Sequence, residues 1–294
     1  HILVAALLQG LLASAILPAS EALIYDIVGR RTLLNGVAMR HGFYNFGRIF
    51  GSILAGFLMG QVGMGAAYLT LAGIVALSPL PIFFMKPMAD RPHEKRQPLQ
   101  DISMGIAYAY KSKALRHMLL FNILMEIFGF SYQVLLPVMA RDVLMVGATG
   151  LGFLSAAISV GGFMGTAIVV NLGDYRAKGY LLTIAAACAS ISLLFFALSP
   201  WYAASLALIT LVGASITTYD ATMAAHVQLQ ASEEMRGRIL GLYGLTFGCF
   251  PLGGFLVGAI ASAVSAPFTI GLGAVVVLGS VATILLPLKA VRQR

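Results

Sequence analysis

Residues 150–170 read GLGFLSAAISVGGFMGTAIVV, a run without a single Asp, Glu, Lys or Arg. A helix needs roughly 20 predominantly apolar residues to cross a bilayer, and this run meets that length. It is continuous and Gly-rich, unlike the alternating segments of about ten residues that build an outer-membrane barrel. Eight similar stretches occur on either side of it: Ile2–Ser20, Gly42–Gly60, Ala66–Met85, Leu115–Ala140, Tyr180–Leu198, Trp201–Ala225, Ile239–Ala261 and Phe268–Leu288. The 294 residues are 59% hydrophobic and 10% charged, with a mean hydropathy of +0.90. Soluble domains carry about 25% charged residues, so a water-soluble globular domain is excluded. Disorder is excluded as well, since disordered segments are poor in apolar residues and rich in charge. The expected fold is an all-α membrane protein, a helical bundle with nine transmembrane helices.

Lys and Arg collect on one side of a membrane, the cytoplasmic one. When every second connection is assigned to the same side, that side holds 17 of the 19 basic residues. They are Arg30, Arg31 and Arg40; Lys86, Arg91, Lys95, Arg96, Lys111, Lys113 and Arg116; Arg176 and Lys178; Arg236 and Arg238; and Lys289, Arg292 and Arg294. Arg141 falls in an opposite-side loop and Arg48 inside a span. The net charge of +8 is thereby explained without nucleic acid as a partner. The C-terminus is expected to be cytoplasmic, and nine spans earlier the chain begins on the opposite face. It starts at His1 with no basic n-region, so Ile2–Ser20 does not read as a signal peptide. The expectation is an N-terminally truncated chain.

The longest polar stretch, Lys86–Gln100, contains Pro87, Pro92 and Pro98 and reads as a linker. The expected division is 1–86, an incomplete bundle of three helices; 87–114, a cytoplasmic linker with an amphipathic surface helix read over Leu99–Arg116; 115–288, a six-helix bundle; and 289–294, a tail. Residues 56–60 (GFLMG) match residues 254–258 (GFLVG) at an offset of 198 residues, which also places Arg40 on Arg238. That offset equals six spans, the signature of a transporter built from two six-helix halves. Cys188 and Cys249 each stand alone in an apolar span, which suits packing rather than a metal or a disulfide.

Several segments resemble the major facilitator superfamily, in its bacterial enterobactin-exporter-like branch of transmembrane secretion effectors. They are Pro18-Ala19-Ser20-Glu21-Ala22 with Asp26 and Leu33-Leu34-Asn35; Asn45-Phe46-Gly47-Arg48-Ile49 with Gly51 and Ala55-Gly56; residues 135–144 (LLPVMARDVL); and Arg236-Gly237-Arg238. The resemblance covers essentially the whole chain. It implies a twelve-helix fold of which helices 4–12 are present, proton-coupled export and a bacterial inner membrane. Three departures stand out. Gly51-Ser52 replaces the family's Gly-Pro, Gly173–Lys178 is a reduced loop motif, and no basic residue precedes Gln9-Gly10.

Ionisable residues at membrane depth are expensive and face a bundle interior or a cavity. On the span beginning at Leu115, Asn122, Glu126, Gly129, Gln133 and Pro137 are spaced 4, 3, 4 and 4 and fall within roughly 80° of arc, one polar stripe down the helix. His41, Asn45, Arg48 and Ser52 repeat the pattern on the span at Gly42. Glu126 is a candidate proton carrier, because removal from water favours the neutral carboxyl; the alternative is a permanently neutral interhelical contact. Asp220 is a second candidate, or an interfacial residue. Arg48 keeps its charge and suits an anion anchor or a carboxylate partner, or else a structural ion pair. Asn45, Asn122, Gln133 and Thr217 are candidate cavity residues. Gly51, Gly56, Gly241, Gly244 and Gly248 are expected to let helices approach closely or to gate. His226, Glu233 and Glu234 read as solvated cytoplasmic residues.

The expected function is secondary active transport, proton-coupled export of a siderophore-like or drug-like molecule. No cofactor and no enzyme activity are expected, and the intact protein is expected to be monomeric. No GxxxxGK[ST] occurs to support ATP-driven pumping. A lipid-modifying membrane enzyme needs converging catalytic groups, and no DxxxD, HxxE or GxSxG stands at a cytoplasmic helix end. A substrate sensor on a transporter fold would need an added soluble domain, and none is visible. Lacking the first three helices, the chain is not expected to transport alone.

Overall fold

A computed structural model describes residues 43–80, 98–172, 178–232 and 234–288. The expected first span at Ile2–Ser20, the motif residues from Pro18 to Asn35, His41, most of the Lys86–Gln100 linker, the loop at 173–177, Glu233 and the basic tail lie outside them. All regular structure among the described residues is helical. Helix α1 covers 43–61, and α2 is Met64–Leu77. Gly63 links them at φ 111°, a conformation that a side chain would oppose. Helix α3 is Pro98–Lys111. It stops one residue before α4 (Lys113–Leu124), whose N-cap Ser112 accepts a hydrogen bond from Leu115 N at 3.4 Å. The surface helix expected to continue to Arg116 is therefore two helices, because Ser112 takes an extended conformation that caps the second.

From α4 the chain runs through a π turn, Met125–Gly129, into α5 (Tyr132–Val138) and a second π turn, Met139–Val143. Each π turn ends in an i→i+5 bond, Phe130 N to Met125 O at 2.8 Å and Leu144 N to Met139 O at 2.9 Å. Then follow α6 (Gly147–Leu172), α7 (Lys178–Leu198), α8 (Tyr202–Gln230), α9 (Arg236–Thr246), α10 (Cys249–Ala263) and α11 (Ala266–Ser280). A last π turn, Val281–Leu285, extends α11. Six helices among the described residues are long and apolar enough to cross a membrane: Lys113–Val143, Gly147–Asn171, Tyr180–Leu198, Tyr202–Val227, Gly237–Ala263 and Ala266–Leu285. Helix α1 carries Asn45 and Arg48, which lower its hydropathy, and α2 is a shorter apolar helix. The chain is an all-α membrane protein, as its composition requires.

Lipid tails are as apolar as leucine, so close packing rather than water exclusion holds such helices together. Helix α8 is the centre of the packing, with α6 on one side and α7 on the other, and α7 leads on to α11. At the α6–α8 crossing the backbones touch. A Cβ on Gly161 would overlap the Thr210 carbonyl, one on Gly165 the Ala214 carbonyl, and one on Gly213 the Ile158 carbonyl. Gly273 of α11 and Gly253 of α10 admit the π turn of the first span in the same way, a Cβ there lying 2.8 Å from Phe128 O and 2.6 Å from Ile127 O. Phe121, Met125, Phe196, Tyr219 and Met223 fill the space between these helices, all fully buried.

Helix α1 joins this bundle along α6. Gly56 meets Gly152, where a Cβ would lie 2.7 Å from the Gly152 Cα, and Thr149 Oγ1 donates to Gly56 O at 3.4 Å. Helix α3 packs on α9: Gly105 faces Arg238 O, and Tyr108 Oη accepts from Ser232 N at 3.1 Å. The expected glycine stripe on α9 is not a contact surface within the described residues. Nothing lies within 4 Å of a Cβ built on Gly237, Gly241 or Gly244, and Gly248 meets only Leu245 O of its own turn. The stripe's spacing is right for close approach, but the helices that pack on α9 take its other faces. Gly51 likewise has nothing within 4 Å, whereas Gly56 packs as expected.

Candidate functional site

The first span supplies the framework of the site. Asn122 lies on the last regular turns of α4, fully buried, and Glu126 follows within the π turn at 4% exposure. A π turn adds a residue to one helical turn and so rotates everything after it. The regular stripe expected from Asn122 to Pro137 is broken for this reason. Asn122, Glu126 and Gly129 are buried, Gln133 is only half-buried and Pro137 is exposed. Tyr132, one residue before Gln133, takes the interior position at 2% exposure.

Asn122 ties three helices together. Tyr219 Oη of α8 donates to Asn122 Oδ1 at 2.8 Å. Asn122 Nδ2 donates to Thr246 Oγ1 of α9 at 2.6 Å, and the Thr246 hydroxyl donates to Tyr243 O at 2.5 Å. Each donor in the chain is matched to one acceptor, which fixes the amide orientation of Asn122. Phe121 and Tyr219 meet edge to face at 5.8 Å, and Tyr243 and Phe247 at 5.3 Å.

Beside this satisfied network lies an unsatisfied one. Glu126 Oε1, Asp220 Oδ1 and Tyr132 Oη are buried atoms without a hydrogen-bond partner among the described residues. Glu126 sits one turn beyond Asn122, and Asp220 follows Tyr219 on α8. The Tyr219–Asn122 hydrogen bond brings this turn of α8 against the Lys113–Val143 span. A buried polar atom without a partner costs about 1–3 kcal/mol. Three in one neighbourhood form a place where protons or a polar ligand can be received. Among the described residues no group of three or more His, Cys, Asp or Glu side chains could hold a metal ion.

The remaining candidates fall into a second group. Asn45 of α1 and Thr217 of α8 both face Gly162 of α6; a Cβ there would lie 3.0 Å from Thr217 Oγ1 and 3.6 Å from Asn45 Oδ1. Arg48 is exposed on α1. An apolar cavity of about 620 Å³ lies between α1, α2 and α6, lined by Phe50, Gly51, Phe57, Ile74, Thr149 and Phe153 among others. Gly51 is thus a cavity wall. His226, expected to be solvated, is 3% exposed and its Nδ1 donates to Thr222 O at 2.8 Å. Tyr243 and Thr246 escaped the sequence reading. The available signal was Asn122 itself, since a buried amide must find partners on neighbouring helices.

A model of the family described as transmembrane secretion effector matches residues 1–293. The enterobactin exporter EntS of Escherichia coli O1:K1 / APEC is 25% identical over 286 residues, 95% of this chain and 67% of that protein. Its namesake from Shigella boydii serotype 18 (strain CDC 3083-94 / BS512) is 24% identical over the same shares.

Proposed function

The chain belongs to the transmembrane secretion effectors, a major facilitator superfamily family of membrane transporters, and from that premise we propose that it is part of a secondary exporter driven by protons. In this reading two helical halves rock around a polar site near the midplane, opening it alternately to either side. The substrate is a siderophore-like or drug-like small molecule, in keeping with relatives whose name is enterobactin exporter. The protein sits in the inner membrane with its C-terminus in the cytoplasm, following the distribution of Lys and Arg.

The observation that carries the reading is the pair of carboxylates, Glu126 and Asp220, each with a buried oxygen that nothing among the described residues satisfies. A structural carboxylate at this depth would have a partner. Glu126 is assigned the proton-carrying role, and Asp220 a second acidic position that senses its charge state. Arg48 supplies a fixed positive charge for an anionic group. Asn45 and Thr217, which meet at Gly162, are assigned to the substrate path, and Asn122 holds the helices around it. The test is accumulation of a panel of siderophores and drugs in cells expressing the complete gene, with the proton gradient intact or collapsed. The expected result is lowered accumulation of at least one compound, restored when the gradient is collapsed. Efflux that survives the collapse would remove proton coupling from the account.

A further inference from the structure

A second cavity lies where the start of the first of the six long helices meets the end of the last. It measures about 490 Å³. Lys113, Ala114 and His117 from the start of α4 form one wall. Thr283, Ile284, Pro287 and Leu288 from the end of α11 and its π turn form the other. Among the described residues no acidic side chain contributes to the lining.

The polar groups here are arranged for an anion. His117 Nδ1 is 2.7 Å from Lys113 O, and a carbonyl only accepts, so Nδ1 carries the hydrogen and Nε2 is left for a ligand. The Thr283 hydroxyl donates to Gly279 O at 2.9 Å and therefore offers a ligand no donor. The donor that faces the cavity is the Lys113 ammonium, with the His117 ring beside it. Arg116, the other cation of this turn, lies over the Tyr110 ring at 5.4 Å. The α4 N-terminus adds the positive end of a helix dipole to the same wall.

The opposite wall is aliphatic, which a free hydrated anion would not use. The cavity also sits at the ends of two spans, where hydrocarbon gives way to headgroups. We infer that it holds the phosphate headgroup of an anionic phospholipid, with the phosphate at Lys113 and His117 and an acyl chain along Ile284, Pro287 and Leu288. Basic pockets between helix ends on the positively charged side of a membrane protein recognise lipids in this way. The site is independent of the transport reading.

The test uses the intact protein, delipidated in detergent and examined by native mass spectrometry with phosphatidylglycerol, phosphatidylcholine or inorganic phosphate added. Phosphatidylglycerol is expected to be retained over phosphatidylcholine. Lys113→Gln combined with His117→Gln should weaken that retention by about tenfold. Ala114→Phe, which fills the cavity and leaves both polar side chains in place, should weaken it as well. Arg141→Gln, at the other end of the span, should leave it unchanged. Equal retention of the two lipids, or retention indifferent to the double substitution and to Ala114→Phe, overturns the inference. So does displacement of phosphatidylglycerol by millimolar phosphate, which would make this a site for the free ion.

Discussion

Replacing Gly161 by Ala, with Gly241→Ala as its counterpart, separates a glycine that holds two helices together from one that does not. Both lie in helices of the six-span bundle, and both changes add one methyl group. In a helix interior Ala is favoured over Gly by roughly 1 kcal/mol, so each variant starts with that gain. At Gly241 nothing lies within 4 Å of the new methyl, and the gain stands. At Gly161 the methyl overlaps the Thr210 carbonyl and lies 2.9 Å from Ala214 N. Both obstacles are backbone of α8 and cannot rotate away. Helices α6 and α8 must separate, which also loosens the contacts at Gly165 and Gly213 in the same crossing. Overpacking of this kind costs typically 1–3 kcal/mol, and several contacts share the displacement, so the upper end applies. The net loss at Gly161 is about 2 kcal/mol against a gain of up to about 1 kcal/mol at Gly241. At roughly 2–4 °C per kcal/mol for a chain of this size, the two midpoints should differ by about 6–12 °C. The assay is thermal unfolding of the detergent-purified variants, followed by the loss of monodisperse protein in size-exclusion chromatography. A Gly161→Ala variant as stable as Gly241→Ala would refute the backbone crossing of α6 and α8.

The hydrogen-bond chain through Asn122 predicts a coupling between its members. In a cycle of Asn122→Ala and Tyr219→Phe, measured by reversible unfolding in mixed micelles, the interaction energy should be about 0.6–1.7 kcal/mol, the range for buried bonds in membrane bundles; additive effects would contradict it. At the basic end, the hydrogen bonds that Ser232 makes to Tyr108, from its side chain first and then its backbone, hold the phenol below its usual range of about 10. Both bonds favour the charged form. Because the folded value is the depressed one, the stabilisation appears only as pH rises through that titration and is absent at neutral pH. Ultraviolet difference absorbance should show an early-titrating tyrosine that disappears in Tyr108→Phe and is weakened in Ser232→Ala.

The bundle was legible in the sequence because lipid leaves so few solutions. Runs such as Gly150–Val170 can only be spanning helices, and the structure turns them into α6 and its neighbours with shifts of a few residues. What could not be read was the phase within the first span. A regular 100° step from Asn122 predicts Gln133 as an interior group, and the extra residue of the π turn at Met125–Gly129 replaces it with Tyr132. Composition carries no signal for such a turn. The glycines failed for a related reason. Spacing shows that Gly241 and Gly244 share a face, but which face meets a neighbour is decided by the tertiary packing, and here the crossing uses Gly161, Gly165 and Gly213. Asn122 and Glu126 stand out in the sequence because polar residues in an apolar helix are conspicuous, and the structure buries both. Thr246, which accepts from Asn122, lies on a helix more than a hundred residues away and did not stand out.

The central claim is that the unpartnered carboxylate at Glu126 carries the proton that drives export. Glu126→Gln keeps the size and hydrogen-bonding capacity of the side chain and removes only its ability to ionise. Inside-out membrane vesicles from cells expressing the complete gene, energised by an imposed pH gradient, measure the consequence directly. The account predicts that gradient-driven substrate uptake falls at least tenfold in Glu126→Gln, while substrate still binds and still exchanges across the membrane without a gradient. Gradient-driven uptake at the wild-type rate would contradict it.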